Sequence, residues 1–410
     1  MGISIGLVGL GAFGSVFAPL FKSHPLVSRI ALCDREPERI KQFADDPFFK
    51  DKFNPRDVFD SLDAICRSDL DALAIITQPW LHAPQCVQAL ESGKHVYSAV
   101  PIISVPDDDE ILDWCDRLVK TCSKTGLSYM LGETTYYRPQ AMFCRRKAHA
   151  GAFGDFVYAE GEYMHDVDAN CNLREVTKMR QASKAGQEWV KISETYAKQK
   201  LLHGPMHYPT HSTSGPVCVM QAHALKATGY GYKNRTDDPF FDKDAFSNET
   251  AIFKMSNGAT VRICEFREVA VPESETFRVF GTRGSYAENR WTENSRTASV
   301  PAKKLEISKL TDEEMRDPLP PEVQDAFKRA MHQKASKSDL QNMDFVPSGH
   351  GGSHPYLVHE FVEAIAQGRQ PAINIWEAAR YMAMGVMAHK SSLKDGETLP
   401  VPDWGDAPTK

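Results

Sequence analysis

The stretch Ile3–Asp34, ISIGLVGLGAFGSVFAPLFKSHPLVSRIALCD, constrains this chain more than any other. Its first apolar run, Ile3–Val8, has the composition of a strand buried on both faces. The run enters Gly9-Leu10-Gly11-Ala12-Phe13-Gly14, and Val16, Phe17, Leu20 and Phe21 follow at near-helical spacing. A second apolar run, Arg29–Cys33, ends at Asp34. Gly9 permits the tight turn, Gly11 lets a pyrophosphate approach the backbone, and Gly14 lets helix and strand pack closely. The helix N-terminus offers free N–H groups and a partial positive charge to phosphate oxygens. Asp34, about 20 residues beyond Gly14, is placed to accept ribose hydroxyls. A carboxylate there repels a 2′-phosphate, so NAD is expected over NADP, and the adjacent Arg35 works partly against that preference. Pro19 lacks an N–H and is expected to kink the helix near Ser15.

Strand and helix then alternate. Asp57–Cys66 reads as a short helix, Leu70–Thr77 as a third strand and Leu81–Ser92 as a helix stopped by Gly93. His95–Ser98 is a fourth strand and Ile111–Thr125 a helix whose first turn carries Asp107, Asp108, Asp109 and Glu110, favoured there by the helix dipole. Leu127–Leu131 is a fifth strand. Residues 1–134 are therefore expected to form a doubly wound parallel sheet with its ligand at the strand carboxyl ends. The expected cofactor contacts are Gly9, Gly11, Ala12, Phe13, Gly14, Asp34, Arg35, Thr77, Gln78, Pro79, His82 and Pro101.

The pattern changes after about Tyr136. Asp155–Met164 alternates as a strand, and Asp166–His203 is polar and partly helical. Glu249–Met255 and Ala259–Phe266 flank Asn257-Gly258, a strong hairpin signal. Thr276–Phe280 and Ser285–Glu288 form another antiparallel pair. Arg290–Val346 reads as charged and irregular, with one short helix near Val323–Met331. Pro355–Ala366 and Glu377–Ser391 read as helices, the first with Leu357, Phe361 and Ile365 in one apolar stripe. Residues 135–410 are thus expected to be a second, α+β domain with a large, mostly antiparallel sheet.

A chain of 410 residues with 42% hydrophobic and 25% charged residues suits two soluble globular domains. The net charge of −6 and the lack of a basic cluster argue against nucleic acid as a partner. No apolar run reaches the length of a membrane span. The first strand begins at Ile3, which leaves no room for a signal peptide, and a cytoplasmic protein is expected. The nine cysteines, among them Cys33, Cys66, Cys218 and Cys264 in apolar runs, form no C-x-x-C pair and read as buried thiols.

The sequences GLVGLGAFG, ITQPWLHAPQCVQALESGKHVYSAVP and GETTYYRP, together with the antiparallel second half, resemble the Gfo/Idh/MocA oxidoreductases over nearly the whole chain. That resemblance implies NAD in the first domain, a sugar or polyol against the second, and a homodimer or homotetramer formed through the second sheet. Such proteins usually carry Glu-Lys-Pro after the fourth strand, the lysine assisting hydride transfer. This chain has Ala99, Val100 and Pro101, and Val100 exchanges no proton. Tyr163-Met164-His165, Tyr208-Pro209-Thr210-His211 and Gly349-His350-Gly351-Gly352 are similar to the branch containing the NAD-dependent α-N-acetylgalactosaminidases. The resemblance maps Tyr163, His165 and His211 onto that branch's tyrosine and histidine site residues.

Hydride transfer from a carbinol needs a base for the hydroxyl proton, and histidine titrates near neutrality. His207 and His211 are four residues apart and would share a helix face, although Pro209 between them equally suits an irregular helix start. We take His211 as base or hydroxyl ligand, and His207 and Tyr208 as substrate contacts. Tyr163 and His165 alternate on one strand and point to one face of the sheet. The glycine-rich loop with His350 and His354 suits backbone approaching a ligand. The bland alternatives are histidines bonded to backbone carbonyls, cross-strand packing and a plain linker. No metal site is expected, because H-x-x-x-H lacks the interleaved glutamate of zinc proteases. Three functions compete: an oxidoreductase acting on a carbohydrate hydroxyl, a redox-neutral NAD-dependent glycosidase, and a non-catalytic NAD-binding regulator.

Overall fold

A computed structural model describes residues 2–169, 173–294, 299 and 305–408 of the chain. Residues 170–172 of the Asp166–His203 stretch lie outside them, as do 295–298 and 300–304 of the Arg290–Val346 stretch.

Six strands form the first sheet: β1 Ile3–Val8, β2 Val27–Cys33, β3 Phe53–Phe59, β4 Ala72–Ile75, β5 His95–Ser98 and β6 Tyr129–Leu131. Their order is β3-β2-β1-β4-β5-β6, and every pairing is parallel. The order reverses at β1, so β1 and β4 open the crevice where a doubly wound sheet binds its ligand. The sequence reading gave five strands. The sixth, β3, sits at the sheet edge, with Asn54, Pro55 and Arg56 exposed and Phe53, Val58 and Phe59 opposite Ile30, Leu32 and Cys33 of β2. Its polar, proline-containing sequence carries no buried-strand signal. The expected helix Asp57–Cys66 is accordingly shorter, Leu62–Cys66. A single helix, Gly14–Ser23, passes through Pro19.

The second sheet has nine strands: β7 Phe156–Met164, β8 Ala224–Lys233, β9 Phe246–Met255, β10 Thr260–Phe266, β11 Ser274–Gly281, β12 Gly284–Ala287, β13 Arg290–Asn294, β14 Leu305–Lys309 and β15 Leu399–Pro400. Their order is β14-β13-β12-β11-β7-β10-β9-β8-β15. Only β7 and β10 pair in parallel; the hairpin over Asn257-Gly258 holds, with Thr260 opposite Lys254. Arg290–Val346 is more regular than expected, since β13 and β14 pair there and helices Pro321–Met331 and Lys337–Asn342 follow. The Asp166–His203 stretch holds helices Leu173–Ala182 and Lys184–Lys198.

Two buried helices, Thr210–Met220 and Ile375–Ser392, cover the inner face of this sheet. Gly161 on β7 admits the first, because a Cβ there would strike the carbonyl oxygen of Ser212. Each large apolar side chain sealed between helix and sheet, such as Phe253, Ile263, Val279 and Tyr381, contributes about 1.5–3 kcal/mol. Amid this apolar packing a polar row crosses the sheet. Cross-strand register sets Glu275 opposite Tyr163, Tyr163 opposite Glu265, and Glu265 opposite Glu249. Paired residues face the same side, so one tyrosine and three carboxylates share the inner face. The eight described cysteines are all buried and outside disulfides, and no helix among the described residues is long and apolar enough to cross a membrane.

Candidate active site

The glycine turn after β1 has the shape a dinucleotide needs. Gly9 has φ +90°, and a Cβ there would strike the carbonyl oxygen of Ile76 at the end of β4. A Cβ on Gly14 would strike the carbonyl oxygen of Gly9. A Cβ on Gly11 meets nothing nearer than Arg39 Nη1, at 3.6 Å. Packing therefore accounts for the first two glycines, whereas Gly11 leaves an open cradle before the helix N-terminus. Asp34 closes β2 with Oδ2 accepting the Leu10 N–H at 2.7 Å and Oδ1 accepting the Glu36 N–H at 2.8 Å. Each oxygen keeps a lone pair for a ribose hydroxyl. These residues fit NAD. Ala12 and Phe13 complete the turn, and Phe13 packs edge-on against His350 and His354, with ring centroids 5.8 and 5.7 Å away.

Two of the expected cofactor contacts have other partners. Arg35 donates to Glu188 through both terminal nitrogens, at 2.8 and 2.6 Å. His82 is buried between the carbonyl oxygens of Pro101, 2.8 Å from Nδ1, and Thr77, 3.2 Å from Nε2. Burial pushes its pKa down to about 4, so a neutral ring donates to one of these carbonyls and ties the end of β4 to the end of β5. Thr77 Oγ1 donates to Gln85 at 2.6 Å. Gln78 and Pro79 lead from β4 into the next turn, and Val100 is buried beside them in the core.

His211 lies in the first turn of helix Thr210–Met220 and is buried. Its Nδ1 faces two carboxylates: Glu133 Oε1 at 3.0 Å and Glu275 Oε1 at 3.5 Å. Glu133 follows β6, and Glu275 lies on β11. Thr135 binds both, its N–H donating to Glu133 at 2.9 Å and its Oγ1 to Glu275 at 2.7 Å. Arg138 pairs with the Glu275 carboxylate and donates to the Glu275 carbonyl at 3.0 Å. Burial alone would lower the His211 pKa, but the charges of Glu133 and Glu275 outweigh it and raise it to about 9. Glu133 stays ionised for the reciprocal reason: burial opposes its charge, but His211 and the Thr135 N–H outweigh it.

Three rings surround His211: Tyr163 at 5.2 Å, Tyr208 at 5.5 Å and His350 at 6.4 Å between centroids, the last nearly parallel at 21°. His350 is open to solvent at its outer edge. The protein around its ring, and then the charge of His211, hold its pKa below that of a free imidazole. Burial raises the Tyr163 hydroxyl's pKa, so Tyr163 keeps its proton at neutral pH, with Arg267 4.6 Å above its ring. His165 lies just beyond β7, 5.7 Å from Tyr163, its Nδ1 3.0 Å from the Asp166 carbonyl oxygen. His354 supports the loop: its Nε2 is 2.9 Å from His350 Nδ1, and its ring packs on Phe17 at 4.5 Å.

His207 parts from His211. The chain forms a single 3-10 turn over Pro205–His207 and starts a new helix at Thr210, so the two imidazoles do not share a face. His207 is fully buried, 3.0 Å from Asp108 through Nε2 and with its ring tilted against that of His389 at 4.3 Å between centroids, and His389 bonds Glu249 at 2.9 Å. Pro209 thus separates two polar clusters, and His207 belongs to the one away from Tyr163 and His350.

Among the described residues two trios bring metal-ligand atoms within 4.8 Å of one another: Asp108, His207 and His389, and Glu133, His211 and Glu275. In the first, His207 Nδ1 accepts the Gly204 N–H at 3.1 Å, so Nε2 carries the ring proton and has no lone pair for a metal. In the second, the guanidinium of Arg138 already supplies the cation against Glu275.

Glu133, Glu275 and Arg138 escaped the sequence reading as site residues. Glu133 was within reach, at the carboxyl end of the last strand in GETTYYRP. Glu275 stands on an in-facing position of a strand otherwise filled by Phe277 and Val279, a signal visible only once the faces are known.

Comparison with known proteins agrees with this geometry. Residues 3–133 match the oxidoreductase family GFO_IDH_MocA, NAD-binding Rossmann fold, and residues 221–408 match the glycosyl hydrolase 109 C-terminal domain. A glycosyl hydrolase family 109 protein of Stenotrophomonas maltophilia is 25% identical across 98% of this chain and 89% of its own length. An α-N-acetylgalactosaminidase of Tannerella forsythia is 24% identical across 80% of this chain and 70% of its own. Among solved structures, scyllo-inositol dehydrogenase from Lactobacillus casei with bound NAD(H) and scyllo-inositol superposes with a TM-score of 0.63, at 16% identity, over 98% of this chain and 99% of that one. The chain thus joins a stretch matching the Gfo/Idh/MocA oxidoreductase family's NAD-binding Rossmann fold, residues 3–133, to one matching the glycosyl hydrolase 109 C-terminal domain, residues 221–408.

Proposed function

We propose that this protein transfers a hydride between NAD and a secondary carbinol of a sugar or sugar derivative. The observation that carries the reading is the pair of imidazoles 6.4 Å apart whose surroundings push their pKa values in opposite directions, the usual mark of an acid and a base in one site. Bound NAD supplies the acceptor and donor of the hydride. Gly9–Gly14 and Asp34 hold the dinucleotide, while His82 fixes the strand ends beneath it. His350, the neutral imidazole, accepts the proton that a carbinol oxygen loses on oxidation, and His211, kept charged by two carboxylates, donates to that oxygen and supplies its proton on reduction. Tyr163 donates to a neighbouring hydroxyl, His165 orients Tyr163, and Tyr208 and His350 line the sugar. Residues 1–134 form the cofactor domain and 135–410 the substrate domain in this reading.

A second reading is favoured by the glycosyl hydrolase 109 match and by the aliphatic Val100 where dehydrogenases of the family carry a lysine. Oxidation of a ring hydroxyl acidifies the adjacent C–H. His350, neutral near pH 7, takes that proton, the aglycone leaves, water adds, and the hydride returns. The net reaction is hydrolysis with no change in NAD. Self-association would use the outer face of the nine-stranded sheet, where Tyr230, Tyr232 and Ile252 are exposed. The buried thiols suit a reducing compartment such as the cytoplasm.

The test is a panel of free sugars, polyols and nitrophenyl glycosides, following NADH absorbance and nitrophenol release together. NADH accumulation supports the dehydrogenase, and nitrophenol release at constant NADH supports hydrolysis. Neither signal across the panel, or turnover undiminished in His211→Ala, overturns the proposal.

A further inference from the structure

The adenosine end of the cofactor cleft contains a residue supplied from far along the chain. Beyond Asp34, three cations surround the place where a ribose 2′-oxygen would lie, and each faces a carboxylate. Arg39 Nη1 is 3.6 Å from Asp34, and Lys184 Nζ is 3.5 Å from Glu36. Arg35 is held in a two-bond fork by Glu188 on helix Lys184–Lys198. Lys184 also donates to the Arg35 carbonyl, at 3.0 Å. An exposed ion pair alone would be a weak restraint, and both Arg35 and Glu188 are half-exposed. The helix, however, is fixed independently. Trp189 stacks on Trp80 after β4, at 4.7 Å and 18°, and Tyr196 donates to Glu110 at 2.7 Å. Glu188 therefore stands beside Arg35 whether or not the pair itself contributes to stability.

We propose that Glu188 is a specificity-setting residue: by occupying both arms of Arg35 it removes the guanidinium a 2′-phosphate would need and adds a second carboxylate that repels it. A residue after the β2 acid that would otherwise recruit NADP is thereby neutralised by a helix about 150 residues further along the chain, and selectivity for NAD depends on Glu188 as well as Asp34.

The experiment displaces bound NADH from the purified protein with NAD⁺ and with NADP⁺, following loss of dihydronicotinamide fluorescence. Glu188→Gln keeps the shape of the side chain and removes its charge. A freed guanidinium gains a bidentate phosphate contact, so NADP⁺ should compete about tenfold better in Glu188→Gln, with NAD⁺ little changed. Adding Arg35→Ala should cancel that gain. A NADP⁺ to NAD⁺ ratio in Glu188→Gln within about twofold of the parent protein, or a gain that survives in the double variant, overturns the proposal. Failure of all variants to bind NADH also overturns it, by removing the nucleotide site itself, and is distinguishable from a site that binds both dinucleotides without preference.

Discussion

Replacing Glu133 by Gln should move the titration of His211 downward while leaving the site assembled. The amide oxygen still accepts the Nδ1 proton of His211 at the 3.0 Å position, so only the charge is lost. Two unit charges about 4 Å apart interact by about 4 kcal/mol at an effective dielectric constant of 20, equivalent to about 3 pKa units. His211 should then fall from about 9 to near 6, because Glu275 at 3.5 Å remains and burial continues to oppose the charge. Nitrogen-15 shifts of the imidazole, followed from pH 5 to 10, report the titration directly. The pH dependence of kcat/KM on a turned-over substrate should shift with it, so the variant loses its protonated His211 near pH 7 while the parent protein keeps it. A titration that stays within about half a unit of the parent value, or rises, refutes the electrostatic account of this site.

The His211 pKa is raised on folding, so its contribution to stability is complete below the unfolded value of 6.5 and is lost as pH rises through about 9. That contribution is about 3 kcal/mol; Tm should fall between pH 6.5 and 9.5, and the slope should flatten in His211→Gln. Arg138→Met removes the cation from the buried carboxylate of Glu275 and should cost about 3–5 kcal/mol in urea unfolding at neutral pH; unchanged stability would show that Glu275 does not need that partner. Gly11→Ala should leave the Tm of the cofactor-free protein unchanged and weaken NADH binding at least about tenfold, because its Cβ enters only the open cradle. Gly14→Ala should instead lower the Tm of the cofactor-free protein, since its Cβ meets a backbone carbonyl.

What the sequence disclosed follows from how far each signal reaches along the chain. The glycine turn, Asp34 and the alternation of strand and helix act within about 30 residues, and the first sheet formed as those residues imply. Edge strand β3 was missed because its exposed Asn54-Pro55-Arg56 face carries no apolar period. In the second sheet, β8 and β15 pair residues on opposite sides of 171 intervening positions, Leu399 with Ala227, and no local pattern marks that. The candidate site divides in the same way. Tyr163, Tyr208, His211 and His350 were legible as aromatic and imidazole groups in unusual contexts, and the fold gathers them around one ring. His207 was misplaced because spacing alone cannot show that Pro209 ends one turn and begins another. Glu188 and Glu275 act on partners 153 and 140 residues away, Arg35 and Thr135, a distance at which only the folded chain carries information.

The departure at Val100 gains meaning from this arrangement. Where the family resemblance leads one to expect a lysine, Val100 offers buried aliphatic surface and no exchangeable proton. The cation of this site is instead His211, and it belongs to a group of four: two carboxylates, Glu133 and Glu275, against Arg138 and the imidazolium. With His211 protonated the group is neutral, and with His211 deprotonated it buries one uncompensated negative charge, which costs several kcal/mol in such surroundings. That imbalance holds the proton on His211 in the resting protein. An imidazolium at rest suits the donor side of hydroxyl oxidation and reduction, because it can hydrogen-bond a carbinol or ketone oxygen and give it a proton on reduction, whereas the proton released on oxidation needs a neutral base such as His350.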